Sequence, residues 1–147
     1  MFSKKTEKII NDENRINVIV DIYSLLSPIF YENPEKLTLC ERNIVYIHEL
    51  TEEVYYGGFV QYFMSDSANY VEETINALRI IGSKVYLDFL EAAINKFPDG
   101  IVPKDKEKRK NIIIKLGEKL WYELDGVEEE INKLLIVYIK NNINEFR

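Results

Sequence analysis

The sequence has very little cysteine, histidine or tryptophan, and it has no long apolar run. Cys40, His48 and a single tryptophan are the only residues of their types among 147. One cysteine cannot form an intrachain disulfide, so a hydrophobic core must hold the fold together. The longest uninterrupted apolar run covers residues 134–139. It is far shorter than the roughly 20 residues that cross a bilayer, which excludes a membrane span.

The start of the chain also lacks the apolar segment that a secretion signal requires. Residues 1–7 are mostly polar and lead into an ordinary amphipathic pattern. Hydrophobic residues make up 46% of the sequence, which is enough for one core in a domain of this length. We therefore expect one cytoplasmic domain over residues 1–147, in which a helix over residues 6–26 is an N-terminal extension.

Apolar residues recur at helical spacing in nearly every segment, and alternation with period two is never sustained. This pattern predicts an all-α fold, a single compact bundle of six or seven helices. The first helix is predicted from Thr6 to Leu26, ending before Pro28 because proline disrupts a helix interior. The apolar residues of its inner face are Ile9, Ile16, Ile19, Val20 and Tyr23.

The second helix is predicted to begin at Thr38, where Thr38 and Glu41 have the spacing of a capping box. Gly57 and Gly58 should end it, since glycine adopts the left-handed conformation of a helix end without steric cost. A short turn of helix over residues 59–64 follows. The predicted inner face of the second helix comprises Cys40, Ile44, Ile47, Leu50 and Val54.

The remaining helices are predicted from their caps and breakers. Asn69 should cap a fourth helix that ends at Gly82, and Ser83 should cap a fifth that ends before Pro98. A sixth helix opens in the charged stretch 104–110. A break at residues 122–126 then precedes the final helix, whose predicted inner face is Ile131, Leu134, Leu135, Tyr138 and Ile139.

The net charge of −6 is concentrated in the middle of the chain. Residues 41–91 hold nine acids and three bases, which accounts for the whole excess. Such a field repels nucleic acid and attracts basic partners. The stretch 104–110 is basic, but Asp105 and Glu107 dilute it and no aromatic residue is interleaved. It indicates an exposed helix start, and no direct nucleic-acid binding is expected.

No recognisable catalytic or metal-binding motif accompanies these helices. His48 lies one turn from Glu52, but a stable metal site usually needs three or four ligands, and Val45 stands where a Glu-x-x-His pattern would place its glutamate. We expect a solvated or capped histidine, with no metal and no cofactor. Adjacent carboxylates point about 100° apart on a helix, so they form no acid and base pair. A non-enzymatic protein is predicted.

The double glycine lies among five aromatic residues, and this segment has two interpretations. Tyr55, Phe59 and Tyr62 recur at helical spacing, which favours a role in plugging the core. Alternatively, the polar ends of the side chains beside the bend form the lining of a cleft that recognises a partner. The binding residues predicted on this second interpretation are Tyr56, Gln61, Tyr62 and Asn69, together with the nearby acids Glu49, Glu52, Glu53, Glu72 and Glu73.

Residues 54–63 read VYYGGFVQYF, and they are followed by Ser67, by ETINAL at 73–78, by Ile81-Gly82 and by FPDG at 97–100. This series resembles the bacterial DNA-mimic-protein-like domain family, whose core is Gly-Gly-Phe-x-Gln-Tyr-Phe. Gly57, Gly58 and Phe59 are the first three residues of that motif in this sequence. The resemblance covers about residues 38–146.

The resemblance implies an all-helical, non-enzymatic cytoplasmic protein whose acidic surface imitates DNA toward a DNA-binding protein. We therefore expect a protein-interaction domain that binds a basic partner, and a homodimer is left open. A small acidic immunity-type protein that neutralises a toxin is the alternative. A small-molecule-binding or enzymatic domain that uses the cleft near Gln61 is less favoured.

Overall fold

The longest helix, α3 (Leu39–Met64), lies at the centre of the structure and contacts most of the other helices. The structure is a computed structural model that describes residues 4–120 and 127–147, without the side chains of residues 118 and 119. These residues form seven α-helices and no strand, which confirms the predicted all-α fold. The other six helices are α1 (Lys5–Ile10), α2 (Val18–Glu32), α4 (Val71–Ile81), α5 (Lys84–Ile94), α6 (Lys106–Leu116) and α7 (Val127–Asn141).

The start of α3 is fixed by the capping box that its sequence predicts. The backbone N–H of Glu41 donates to Thr38 Oγ1 at 3.1 Å, and the backbone N–H of Thr38 donates to Glu41 Oε1 at 3.0 Å. Two amides that the first helical turn leaves without partners are thereby satisfied. The predicted inner face is largely confirmed: Ile44, Ile47, Leu50 and Val54 are buried, whereas Cys40 is only partly buried.

The remaining helices pack around α3. Helices α2, α4 and α6 contact it along its length, and α7 touches α2, α3 and α4. Helices α4 and α5 form a hairpin, with Gly82 in the left-handed conformation (φ 80°) between them. Phe63 and Phe97 meet edge to face, with ring centroids 4.8 Å apart. The core therefore lies between α3 and the helices on either side of it.

The predicted N-terminal helix over residues 6–26 is wrong, because two helices, α1 and α2, occupy this region. The Asn17 side chain accepts from the backbone N–H of Val20 at 3.2 Å and starts α2 afresh. Ile16 is fully exposed and Val20 is 36% exposed, so neither belongs to the buried core. The mostly polar residues 11–17 interrupt the helix where a periodic apolar pattern had suggested continuity.

The predicted stop before Pro28 is also wrong, since α2 runs on to Glu32. Pro28 lacks the N–H that would bond the carbonyl of Ser24, but both residues are exposed and water can satisfy that carbonyl. Leu26 and Phe30, on either side of the proline, are buried. Burial of these side chains outweighs the lost hydrogen bond.

The double glycine interrupts the helical backbone within α3, so two helical segments meet at a bend there and the predicted break before residues 59–64 is confirmed. Gly57 has φ −157° and ψ 21°, Gly58 has φ 67° and ψ −167°, and the helix then resumes to Met64. Phe59 and Tyr62 are fully buried, as the core interpretation predicts. Tyr55 is 66% exposed, so its assignment to the core is wrong. The bend shifts the helical phase, so residues before and after it no longer share one face.

Two predicted caps are also corrected. Helix α4 begins after Tyr70, and no side chain caps it, since residues 66–70 form a 3-10 turn that leads directly into the helix. Asn69 is therefore not the cap. Ser83 precedes α5 but makes no capping bond with its side chain. The predicted break at 122–126 lies outside the described residues.

We predict that Gly58→Ala lowers the free energy of unfolding by about 2 to 3 kcal/mol, because a positive φ with ψ near 180° is a region that only glycine occupies readily. Gly82→Ala is the matched control, since Gly82 has a left-handed φ but open space around it, and its cost should be about 1 kcal/mol. Chemical denaturation of both variants measures the difference. Equal costs would contradict the special role of the bend.

Candidate protein-binding site

Glu49 is a buried carboxylate on α3 that is held by three hydroxyl groups. Its Oε1 accepts from the phenols of Tyr23, at 3.1 Å, and Tyr31, both on α2. Its Oε2 accepts from Ser67 Oγ at 2.9 Å, in the turn before α4. Glu49 is only 8% exposed. Charged side chains this deeply buried need compensation, and here neutral donors supply it.

The two phenols are firmly protonated at neutral pH. Burial, together with the charge of Glu49, raises the pKa of Tyr23 to about 12. Burial and the hydrogen bond to Glu49 raise the pKa of Tyr31 as well. Both tyrosines therefore act as hydrogen-bond donors to a carboxylate, and neither competes with it for negative charge.

His48 lies beside this carboxylate with its ring stacked near Tyr23, at a centroid distance of 4.2 Å. It is 8% exposed, so the prediction of a solvated histidine is wrong. Burial lowers its pKa to about 4. The imidazole is thus neutral at pH 7, and the 3.7 Å separation between its Nε2 and Glu52 Oε1 is not an ion pair there.

Two concave regions meet at His48 and Glu52, which line both. The first, which we call the tyrosine–carboxylate pocket, has a volume of about 240 Å³ and is lined by Tyr23, Tyr31, His48, Glu49, Glu52, Glu53 and Ser67. The second is a groove of about 210 Å³ that includes Tyr55, Tyr56 and Glu128. In the part of the chain that the structure describes, no group of three or more His, Cys, Asp and Glu residues could hold a metal.

The carboxylates of this region differ from those surface acids of the molecule that form ion pairs. Glu32, Asp88 and Glu91, for example, are paired with lysine or arginine at 2.8 to 3.1 Å. Among the described residues, Glu52 and Glu53 have no lysine or arginine within 4 Å. Glu53 instead accepts from the neutral amide of Gln61 at 2.9 Å, across the glycine bend. Their negative charge is left uncompensated.

Residues 35–142 match the family model described as DMP19-like protein. The chain belongs to the DMP19-like family. This confirms the family resemblance carried by the double-glycine motif. No curated protein and no solved structure matches the chain.

The DMP19-like region contains Glu49, Ser67 and the glycine bend, whereas Tyr23 and Tyr31 precede it. The tyrosine–carboxylate pocket therefore joins the family region to α2. No helix within residues 4–120 or 127–147 has the length and apolarity needed to cross a membrane.

The DMP19-like chain places the predicted binding residues in different surroundings. Tyr56, Gln61 and Asn69 are exposed, and Gln61 reaches Glu53. Tyr62 is fully buried, with its hydroxyl 3.5 Å from Thr74 Oγ1. Its assignment to a surface cleft is therefore wrong: the bend turns Tyr62 into the core, while Tyr55 and Tyr56 stay outside.

The predicted acids divide into two groups. Glu49, Glu52 and Glu53 share the tyrosine–carboxylate pocket. Glu73 lines a separate groove between α3 and α4, with Leu39 and Ile80 exposed at its rim. Glu72 is exposed in the first turn of α4, where the helix dipole favours its charge.

Sequence reasoning missed Tyr23, Tyr31 and Ser67 as the partners of Glu49, and it missed Glu128. The three hydroxyl donors lie 18 to 26 positions from Glu49, too far for any local spacing to connect them. The available signal was Glu49 itself, an acid within the otherwise mostly apolar run 44–50. A carboxylate in such a run must find donors elsewhere.

Proposed function

We propose that this DMP19-like chain binds a basic surface of a DNA-binding protein and competes there with DNA. The binding site is the acidic surface, which we define as Glu52, Glu53, Tyr55, Tyr56, Gln61 and Glu128. The observation that carries the proposal is that Glu52, Glu53 and Glu128, which have no lysine or arginine partner among the described residues, lie in two adjoining concave regions beside an exposed tyrosine pair.

The electrostatics suit such a partner. A protein that binds DNA presents lysine and arginine to phosphates, so it is attracted to any surface whose negative charge is not already neutralised. Glu49, Glu52 and Glu53 are neighbours on one helix at spacings of three and four residues. The family to which the chain belongs is consistent with this role.

The aromatic part of the acidic surface adds contact area that charge alone would not provide. Tyr55 and Tyr56 are 66% and 76% exposed, and their rings meet edge to face at 5.2 Å. Rigid tyrosines with polar tips are common anchors of protein interfaces. The acids would steer a basic partner, and the tyrosine pair would hold it.

We propose binding without catalysis. The phenols of Tyr23 and Tyr31 have raised pKa values and His48 has a lowered one, which removes all three from the neutral range that general acid and base catalysis uses. Glu49 is engaged by three hydroxyl donors and is not free to act as a base.

Affinity capture from the native organism at low and high salt tests the proposal. We expect a basic DNA-binding protein that is retained at low salt, lost at high salt and eluted by short duplex DNA. The double variant Glu52→Gln/Glu53→Gln should weaken its binding about tenfold. Glu13→Gln/Glu107→Gln, which removes the same charge from exposed acids elsewhere, should leave binding nearly unchanged.

Three results would contradict the proposal. Equal weakening by both double variants would mean that only total charge matters. A captured protein that salt releases but duplex DNA does not would favour the immunity-type alternative. Absence of any salt-sensitive partner would count against both roles.

A further inference from the structure

The hydroxyl groups of the tyrosine–carboxylate pocket direct their hydrogens toward the carboxylate of Glu49. Tyr23, Tyr31 and Ser67 each use their single O–H to donate to Glu49. A hydroxyl has one hydrogen and two lone pairs, so once the hydrogen is committed the oxygen can only accept. These three groups therefore offer the pocket acceptors and no donors.

The other polar groups of the pocket are mostly acceptors. Glu52 and Glu53 contribute carboxylates without a lysine or arginine partner in the described chain. The neutral imidazole of His48 adds one acceptor nitrogen and one N–H donor. The side chain of His48 is 10% exposed, its ring makes no hydrogen bond to any described residue, and it lines the pocket. Its ring nitrogens keep access to solvent, so a ligand in the pocket can pair with them.

The pocket has aromatic walls but no positive charge. Tyr23 and Tyr31 line it, and lysine and arginine are absent from its described lining. A space bounded by tyrosine rings, carboxylates and bare acceptors suits a cation that is rich in N–H donors. It does not suit an anion, which would meet the carboxylates without any counter-charge.

We propose that the tyrosine–carboxylate pocket receives the guanidinium of an arginine side chain that projects from the partner. This inference rests on the proposed function and names the partner group that enters the site. A guanidinium is planar, carries five N–H donors and stacks on aromatic rings, whereas an ammonium is a compact and strongly hydrated point charge. The pocket offers both the acceptors and the rings that a guanidinium uses.

The test uses N-acetyl-arginine amide as the probe and follows the amide signals of Glu49 and Ser67 by NMR. We expect saturable shifts with a dissociation constant in the millimolar range, as is usual for a small fragment of an interface. N-acetyl-citrulline amide, which has nearly the same shape but no charge, should produce no saturable shift. Equal binding of the citrulline probe, or no saturable binding of the arginine probe, would overturn the proposal.

Matched variants locate the binding. Tyr31→Ala removes an exposed wall of the pocket and should weaken arginine-probe binding about threefold to thirtyfold, the range expected for loss of a cation–π contact. Ile101→Ala removes an equally exposed apolar side chain outside the pocket and the acidic surface, and it should leave probe affinity unchanged. Thermal melts confirm that both variants are folded. Equal responses of the two variants would place the probe outside the pocket.

Failure of this inference is distinguishable from failure of the proposed function. If Glu52→Gln/Glu53→Gln weakens partner capture while the arginine probe does not bind, the acidic surface is supported as the binding site and the guanidinium pocket is contradicted. If the probe binds in the pocket but no salt-sensitive partner exists, guanidinium binding by the pocket is supported and the proposed function is contradicted.

Discussion

Replacing Arg109 with alanine should lower the free energy of unfolding by about 4 kcal/mol, the largest effect that we expect from a single substitution. Arg109 lies on α6 and is completely buried. Its Nε donates to the carbonyl of Phe63 at 3.0 Å, and its Nη2 donates to that of Ser65 at 2.9 Å. Its Nη1 donates to the carbonyls of Pro103 and Lys104 at 3.1 and 2.8 Å.

Those four carbonyls explain the size of the effect. Phe63 and Ser65 stand at the C-terminal end of α3, where carbonyls lack helical partners and the helix dipole favours a cation. No described carboxylate lies within 4 Å of the guanidinium, so its direct hydrogen-bond partners are all backbone oxygens. Alanine would leave the carbonyls without donors and open a cavity between α3 and α6.

Two controls make this prediction specific, and urea denaturation measures all three variants. Arg109→Lys keeps the charge but has only three donors on one nitrogen, so it should recover part of the loss. Lys108→Ala, at an exposed neighbouring position, should change stability by less than about 0.5 kcal/mol. A loss below about 1 kcal/mol for Arg109→Ala would show that water replaces the guanidinium.

Arg147→Ala should cost about 3 kcal/mol, because it leaves the carboxylate of Glu41 buried without its counter-charge. Glu41 is fully buried, and Arg147 binds it with two groups, Nε to Oε2 at 2.8 Å and Nη2 to Oε1 at 3.1 Å. The side chain of Arg147 is 40% exposed, which keeps this cost below that expected for Arg109. Chemical denaturation at neutral pH gives the value.

The pH dependence gives this ion pair a second signature. Burial alone would raise the pKa of Glu41, but its hydrogen bonds with Arg147 and Thr38 outweigh burial and lower the pKa below the ordinary value of 4.5. A lowered carboxyl pKa in the folded state contributes stability above pH 4.5 that is lost as the pH falls through the folded value. The stability gap between wild type and Arg147→Ala should therefore narrow in acid.

A double-variant cycle isolates the pair from other effects of each substitution. Glu41→Gln/Arg147→Ala should cost less than the sum of the two single changes, since the second substitution removes a partner that is already missing. Simple additivity, together with a gap that does not change with pH, would mean that the contact contributes little to folding.

Local signals in the sequence predicted much of the helical framework. The capping box at Thr38 and Glu41 needs only a spacing of three residues, and Gly82 marks a helix end by its own conformational freedom. Prediction failed where tertiary burial decided the outcome. Pro28 lies within a helix because its neighbours Leu26 and Phe30 are buried. Tyr55 lies outside the core because the glycine bend changes the helical phase.

The candidate site was predictable only in part, because its acids are adjacent in sequence and their partners are not. Glu49, Glu52 and Glu53 follow from the charge pattern of one helix. The phenols of Tyr23 and Tyr31 reach Glu49 only after α2 has packed on α3, a contact that no local pattern encodes. The same holds for Arg109, whose charged stretch indicated a solvated helix start although its guanidinium is fully buried.

The pairing of distant segments also sets an order on assembly during synthesis. The backbone N–H of Thr6 donates to the carbonyl of Arg147 at 2.9 Å, and Lys4 Nζ donates to the carbonyl of Asn144 at 2.8 Å. Helix α1 is therefore synthesised well before these partners and gains them only after residues 144–147 have been made. Contacts of such long range close late. Until then, neither the backbone amide of Thr6 nor the carboxylate of Glu41 has its partner in Arg147.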